Sequence, residues 1–472
     1  MAQETERLAS FAANLQREAI PEPVVARAKL LLLDTLGIVI RARHDGESTP
    51  CFLAMARTAG LGGSGATVYG DSSPYGPAAA ALLNGALAHS LDFDDTHAPG
   101  SLHCSAPVVP AALAAAELTG ASGRTLMPAI VAGYAPLCRV AMALTPAAHC
   151  RRGFHPSATA GTFGAAAAAG RVLGLDAAGM ANAFGACGSQ AAGTMQFLAN
   201  GSWNKRYQVG AAAMNGLMAA LLAKNGFVGS SEALEGKQGF LNGYTSEPRP
   251  ERLTERLGEK WETLEIAVKP YPSCRYSHAA LDAILALRAR HTIRPDEVRS
   301  LKVGLPKTGI DIIAIPIEAK RQARSIVEGQ FSMPFLAAAA ITRGRFGWAD
   351  YDLVGDEAVD NLASRVEIWN DPACEAAFPA QMAGSVEIVT GRGTFSQMVA
   401  CPKGEPANFV TDAELRAKFT GLAAAYLAPG TADAAIKAIL GVEEARSLRE
   451  VLRPALAAGR GASPAVRVAG FA

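Results

Sequence analysis

Residues 159–173 read Thr-Ala-Gly-Thr-Phe-Gly-Ala-Ala-Ala-Ala-Ala-Gly-Arg-Val-Leu, and this stretch decides the fold class. Alanine is the best helix former, and small side chains in such density suit a helix held close to its neighbours. Working outward, the same Ala-, Leu- and Gly-rich texture predicts helices over 24–41, 77–89, 108–118, 126–144, 177–189 and 209–224. Glycine-rich turns are expected at 60–65 and 120–123. The apolar runs 30–40 and 162–175 are interrupted by Asp34 and Arg171 and fall short of the roughly 20 residues that cross a bilayer, so they read as buried helices. Residues 1–18 mix charge with apolar positions at helical spacing and read as a surface helix rather than a signal peptide.

After Lys269 the texture changes. Alternation at 301–305, 366–369 and 386–389 predicts strands, and Gly391-Arg392-Gly393 followed by 394–399 is a hairpin signature. Helical patterns persist at 277–290 and 326–342, which makes this part α+β. A capping box, Thr411-Asp412-Ala413-Glu414, then opens a helix expected to run to Tyr426, and helical texture continues to about Arg453. The expected organisation is a helical domain from 1–267, an α+β domain from 268–403, and a return to the helical domain from 404–472, with a loosely held tail from 459 onward.

Composition narrows the function classes. A 472-residue chain that is 50% hydrophobic can fill two cores. With 44 Lys and Arg against 43 Asp and Glu, no broad field favours nucleic acid or an anionic membrane. Any bound anion must be held by local charges. The eight cysteines are scattered without a Cys-x-x-Cys pair, from which a reduced, cytoplasmic setting is expected. No Gly-x-Gly-x-x-Gly follows a strand, so no dinucleotide or phosphate loop is expected.

The densest polar cluster is Asp92-Phe93-Asp94-Asp95-Thr96-His97, followed by His103, in a loop after an apolar helix. Three readings stand side by side: a divalent metal site, a solvated loop with capping carboxylates, and a set of acid/base and hydrogen-bonding groups. No ligand spacing such as His-x-x-x-His supports the first. His155 stands just before the helix expected from Thr159, where free amides and the macrodipole attract a carboxylate; the plain alternative is a surface-loop histidine. Cationic segments occur at Lys205-Arg206 and at Lys269, Arg275 and His278, and either could be a binding surface or an ordinary patch. Cys274, beside Arg275, could also be an activated thiol.

Taken in order, Leu33-Asp34-Thr35-Leu36-Gly37, Asn84-Gly85 through His89 to Thr96, Gly153-Phe154-His155-Pro156, Gly201 through Lys205 to Gly210, Lys269-Pro270-Tyr271-Pro272 through His278, and Gln330-Phe331-Ser332-Met333-Pro334 resemble the MmgE/PrpD family. That family includes 2-methylcitrate dehydratase, cis-aconitate decarboxylase and iminodisuccinate epimerase. The resemblance implies a mainly α fold, with a large all-helical domain and a smaller α+β lid domain, a homodimer, a site in the cleft between the domains, and no metal or organic cofactor. It implies catalytic roles for Asp92, His103, His155, Lys205 and Lys269 and an active-site place for Thr96, while the cationic segments themselves add Arg206, Cys274, Arg275 and His278 as expected substrate contacts. It also implies a lyase acting on a small polycarboxylic acid, with dehydration as the leading expectation and epimerisation, decarboxylation or simple polycarboxylate binding as alternatives. Removing a proton beside a carboxylate needs a placed base and cations for the developing negative charge, which this residue set contains. One position departs: cis-aconitate decarboxylases of this family carry histidine five residues after the lid-side lysine, where this chain has Cys274.

Overall fold

The computed structural model describes residues 3–199, 201–449 and 452. The chain forms two units, one built from residues up to Ala267 and resuming at Thr411, the other spanning Val268–Val410. The tail from 459 onward, expected to be loosely held, lies outside the described residues.

The first unit is helical: α1 (Glu4–Asn14), α2 (Glu22–Asp45), α3 (Thr49–Thr58), α4 (Pro77–Ala88), α5 (Ser105–Thr119), α6 (Gly123–Ala143), α7 (Pro146–Arg151), α8 (Pro156–Val172), α9 (Ala177–Cys187) and α10 (Asn204–Lys224). The alanine-rich α8 lies at the centre, packed by α5, α6, α9 and α10, and every residue from Pro156 to Gly170 is buried. Its lack of bulk is what admits these neighbours at close range. Helix α6 is long and apolar enough to cross a membrane by length and composition alone, but 94% of its apolar window is buried inside the protein. Helices α4 and α10 meet at Gly85 and Gly210, where a Cβ on Gly85 would stand 2.9 Å from the Gly210 Cα. This close approach brings the end of α4 and the start of α10 together.

The returning helix, Asp412–Ala423, starts at the capping box and packs on α2. It ends three residues before the expected Tyr426. Gly37 gives way to Phe419, whose ring would lie 3.0 Å from a Cβ there. Immediately before Phe419, Lys418 Nζ pairs with the buried Asp34 carboxylate, one turn before Gly37, at 2.6 Å and donates to the Phe93 carbonyl at 3.0 Å. Burial raises the Asp34 carboxyl above its ordinary range, and Lys418 opposes that.

Residues 60–65, expected as a turn, instead carry the start of a strand, β1 (Gly62–Thr67), paired with β2 (Pro74–Tyr75). Gly63 and Gly65 have φ of +148° and +117°, conformations that glycine tolerates in an irregular edge strand. A further two-stranded ladder joins β3 (Thr96–His97) to β4 (Ile266–Ala267).

The second unit holds a four-stranded sheet in the order β6 (Val366–Asn370), β5 (Val298–Leu305), β7 (Gly384–Thr390), β8 (Gly393–Val399). The β7–β8 hairpin turns at Gly391-Arg392, while β5 and β6 are parallel and joined by a helical crossover. The helix His278–His291 packs on β7 and β8. The expected helix 326–342 is two, Ile326–Gln330 and Met333–Arg343, because the Ser332 side chain accepts from the Phe335 amide and restarts the helix with Pro334 in its first turn.

Candidate active site

The loop between α4 and α5 carries three consecutive or near-consecutive carboxylates, and the fold sends each to a different partner. Asp92 has a left-handed backbone, φ +50°, uncommon outside glycine but tolerated by aspartate, and its Oδ1 stands 2.5 Å from Lys205 Nζ at the start of α10. Asp94 turns inward. Its Oδ2 lies 2.7 Å from Nδ1 of His89, at the end of α4, and 3.2 Å from Nδ1 of His103. Asp95 accepts from the backbone amides of Cys104 and Ser105, each at 3.0 Å, and from the Ser105 hydroxyl, which also meets the Tyr134 hydroxyl at 2.6 Å. Asp95 therefore caps α5, and burial pushes its carboxyl up to about 7 against those hydrogen bonds.

His97, the other imidazole of the polar cluster, faces away from this group. Its Nδ1 accepts from the Gly100 amide at 3.1 Å, which leaves Nε2–H to donate to Glu262 at 3.2 Å. With the β3–β4 ladder it pins the far side of the loop.

His155 is the N-cap residue of α8, and its ring is buried. The Gln208 amide donates to its Nδ1 at 2.9 Å, so Nε2 carries the proton of the neutral ring. Burial holds the His155 pKa well below its ordinary value, and His89, Lys205 and His103 add to this by repulsion. The His89 ring lies 4.5 Å from His103, edge-on, and 5.9 Å from His155, stacked. Burial likewise pushes His89 down to about 4, and the Asp94 charge only partly opposes it. Asp94 lies well below the usual carboxylate range: burial pushes it up, and the two imidazoles outweigh that. The His103 backbone amide donates to Ser157 Oγ at 3.0 Å, tying the loop to the first turn of α8.

Asp92, His103, His155 and Lys205 are thus brought together with His89, Asp94 and Gln208. Thr96 is buried in β3. Arg206, one residue past Lys205 and so on another face of α10, points elsewhere: its guanidinium meets Ser48 Oγ at 3.3 Å and Glu47 Oε2 at 3.6 Å. Beside it lies a cavity of about 220 Å³ lined in part by Ser48, Trp203 and Tyr207.

The remaining sequence-predicted residues belong to the second unit. Lys269 is buried, and Arg275 pairs with Glu405. Burial lowers the Arg275 pKa to about 10. The Cys274 amide donates to the Gln330 carbonyl at 3.0 Å, and His278 Nε2 lies 3.2 Å from the Ser273 carbonyl.

Sequence reasoning passed over His89 and Gln208 as site residues. Gln208 had a readable signal, its spacing of three from Lys205, which puts both on one helix face. His89 had only its place at the end of a helix five residues before Asp94. Among the described residues, His89, Asp94 and His103 also form the group that could hold a metal ion, with one ligand atom each within 4.8 Å of one another. The 2.7 Å contact between His89 Nδ1 and Asp94, however, is a hydrogen-bond distance that already employs the ring nitrogen.

The chain matches two family models, the MmgE/PrpD N-terminal domain over residues 6–253 and the MmgE/PrpD C-terminal domain over residues 271–444. Among curated proteins it is similar to a cis-aconitate decarboxylase-like protein, oryM, of Aspergillus oryzae, 29% identical with 95% of this chain and 96% of that protein covered. It is 30% identical to a cis-aconitate decarboxylase of Aspergillus terreus over 78% of this chain and 76% of that protein, and 26% identical to that of Homo sapiens over 93% and 92%.

Proposed function

The chain belongs to the MmgE/PrpD family, and from that premise we propose that it is a lyase acting on a small polycarboxylic acid, and in particular one that decarboxylates an unsaturated tricarboxylic acid of the cis-aconitate kind. The observation that carries the reading is a cation, Lys205, set on Asp92 within electrostatic reach of three clustered imidazoles, one of which, His103, keeps part of its side chain at the surface. In such a reaction the bond from carbon to the leaving carboxylate breaks and CO₂ departs. The electron pair passes through the adjacent double bond, is shared with a remaining carboxylate, and ends in a new bond from carbon to a proton.

Lys205 would stabilise the developing negative charge, and His103, first protonated at Nε2 by water to its imidazolium form, would deliver that proton and return to the neutral ring. His155 stays neutral and, with Nδ1 occupied by Gln208, would donate from Nε2 to a substrate carboxylate oxygen. Lys269 is assigned a second cationic role on the strength of the family resemblance. The reading invokes no metal or organic cofactor.

A second reading, elimination of water from a 2-methylcitrate-like hydroxy acid, is favoured by Cys274, which stands where the family's decarboxylases carry histidine. Proton NMR with CO₂ capture and polarimetry, applied to the purified protein with cis-aconitate and with citrate-like hydroxy acids, separates the two. One CO₂ released per cis-aconitate consumed supports decarboxylation. A new double bond from a hydroxy acid without CO₂ moves the assignment to dehydration, loss of optical activity alone moves it to epimerisation, and no turnover of any of them sinks the lyase reading.

The homodimer expected from the family is supported by the outward face of α10. Tyr207, Met218 and Leu222 are exposed there, no charged residue occurs between Arg206 and Lys224, and Phe227 and Val228 extend the apolar surface beyond the helix. An uncharged face is complementary to a second copy of itself. Light scattering after size exclusion should give twice the chain mass, and Met218→Glu should shift it toward the monomer.

A further inference from the structure

His89 belongs to no sequence-predicted catalytic set, yet it is buried in the site and hydrogen-bonded to Asp94. It follows directly on α4, and the approach of Gly85 to Gly210 locks that helix against α10, which carries Lys205 and Gln208. The ring is buried, with Nδ1 2.7 Å from Asp94 Oδ2, the same oxygen that lies 3.2 Å from His103 Nδ1. One carboxylate oxygen therefore hydrogen-bonds one imidazole and stands at ion-pair distance from a second, the two rings lying edge-on at 4.5 Å.

We propose that His89 is a positioning residue: by donating its Nδ1 proton to Asp94 it fixes that carboxylate, and through it the ring orientation and tautomer of His103. The proposal rests on the reading above that His103 carries the reacting proton. An ionised carboxylate can only accept, so each ring nitrogen that contacts it must bear hydrogen. His89 Nδ1–H donates to Asp94 Oδ2 at 2.7 Å, and the same oxygen, 3.2 Å from His103 Nδ1, favours the tautomer with hydrogen on that nitrogen, which leaves His103 Nε2 as the nitrogen that exchanges a proton. Orientation of one imidazole by a buried carboxylate is a general device for setting a tautomer. Here the carboxylate is itself oriented by a second imidazole.

Nitrogen-15 correlation spectra of the histidine rings in the ligand-free protein read the proposal directly, with His103→Gln used to assign the His103 signals. Wild type should show His103 as the Nδ1–H tautomer. His89→Leu should show a mixture of tautomers and turnover lowered about 10- to 100-fold with KM little changed, the scale typical of partners that orient a functional imidazole. His89→Asn, whose side-chain amide can still donate to Asp94, should restore the single tautomer and most of the turnover. If His89→Leu does not fold, Asp94→Asn gives the same spectroscopic readout, since it replaces the charged acceptor. An unchanged Nδ1–H tautomer in His89→Leu or in Asp94→Asn overturns the proposal. Because the spectra need no substrate, a wild type that turns over none of the tested acids would refute the lyase reading alone, and would leave the positioning of His103 to be judged by its tautomer.

Discussion

Lys205 Nζ stands 2.5 Å from Asp92 Oδ1, and Asp92 reaches it from a left-handed backbone at φ +50°. A cation set on a buried carboxylate is preorganised, so it meets a developing anion without reorganisation. Lys205→Met should lower kcat/KM by about 10²- to 10³-fold while circular dichroism stays native. Near-normal kinetics for this variant would place the chemistry elsewhere.

His155→Gln should also reduce turnover strongly, with a smaller change in ligand affinity, because glutamine replaces the size but not the Nε2–H geometry that Gln208 enforces. Gln208→Leu removes the amide that selects this tautomer and should reproduce part of the loss. A His155→Gln protein that melts far earlier yet turns over normally while folded would make His155 a structural loop residue.

Asp95 gives a pH dependence of stability with a defined sign. Its folded pKa, about 7, lies above the ordinary value near 4, so the folded state holds the proton more tightly than the unfolded state. The stabilisation is fully present below about pH 4 and is lost as pH rises through about 7. Asp95→Asn keeps an oxygen for the Cys104 and Ser105 amides and removes the titration. Its melting temperature should therefore fall less than that of wild type between about pH 5 and 8, and parallel melting curves for the two would contradict the assignment.

The pair of Lys418 with Asp34 is buried, with side-chain exposures of 10% and 2%. Breaking a buried pair strands a charge and typically costs about 3–5 kcal/mol. Lys418→Met should destabilise on that scale in urea unfolding. Adding Asp34→Leu should recover part of it, because the second change removes the stranded carboxylate.

Chelation should leave turnover unchanged. His89, Asp94 and His103 lie close enough to hold an ion, but the contact of Asp94 with His89 reads as a shared proton. Activity lost on EDTA treatment and restored by one specific metal would reverse that reading.

The helical character of residues 159–173 and their neighbours was legible because alanine propensity and small-residue spacing are local properties. The capping box at Thr411 and the hairpin at Gly391 were legible for the same reason. The parallel pairing of β5 with β6 and the packing of Asp412–Ala423 on α2 join residues far apart in the chain, and no local pattern encodes them. The site divides along the same line. Sequence alone marks 92–97 as a dense run of carboxylates on a loop, but it cannot distribute them. Neighbouring side chains on an irregular loop diverge, and only the packed helices decide that Asp92 meets Lys205, Asp94 meets His89 and His103, and Asp95 caps α5. Lys205 and Arg206 show the same limit, since adjacent residues on a helix point about 100° apart. One cation lies on Asp92 and the other on Glu47 because the surroundings of α10, rather than the residue types, choose between them.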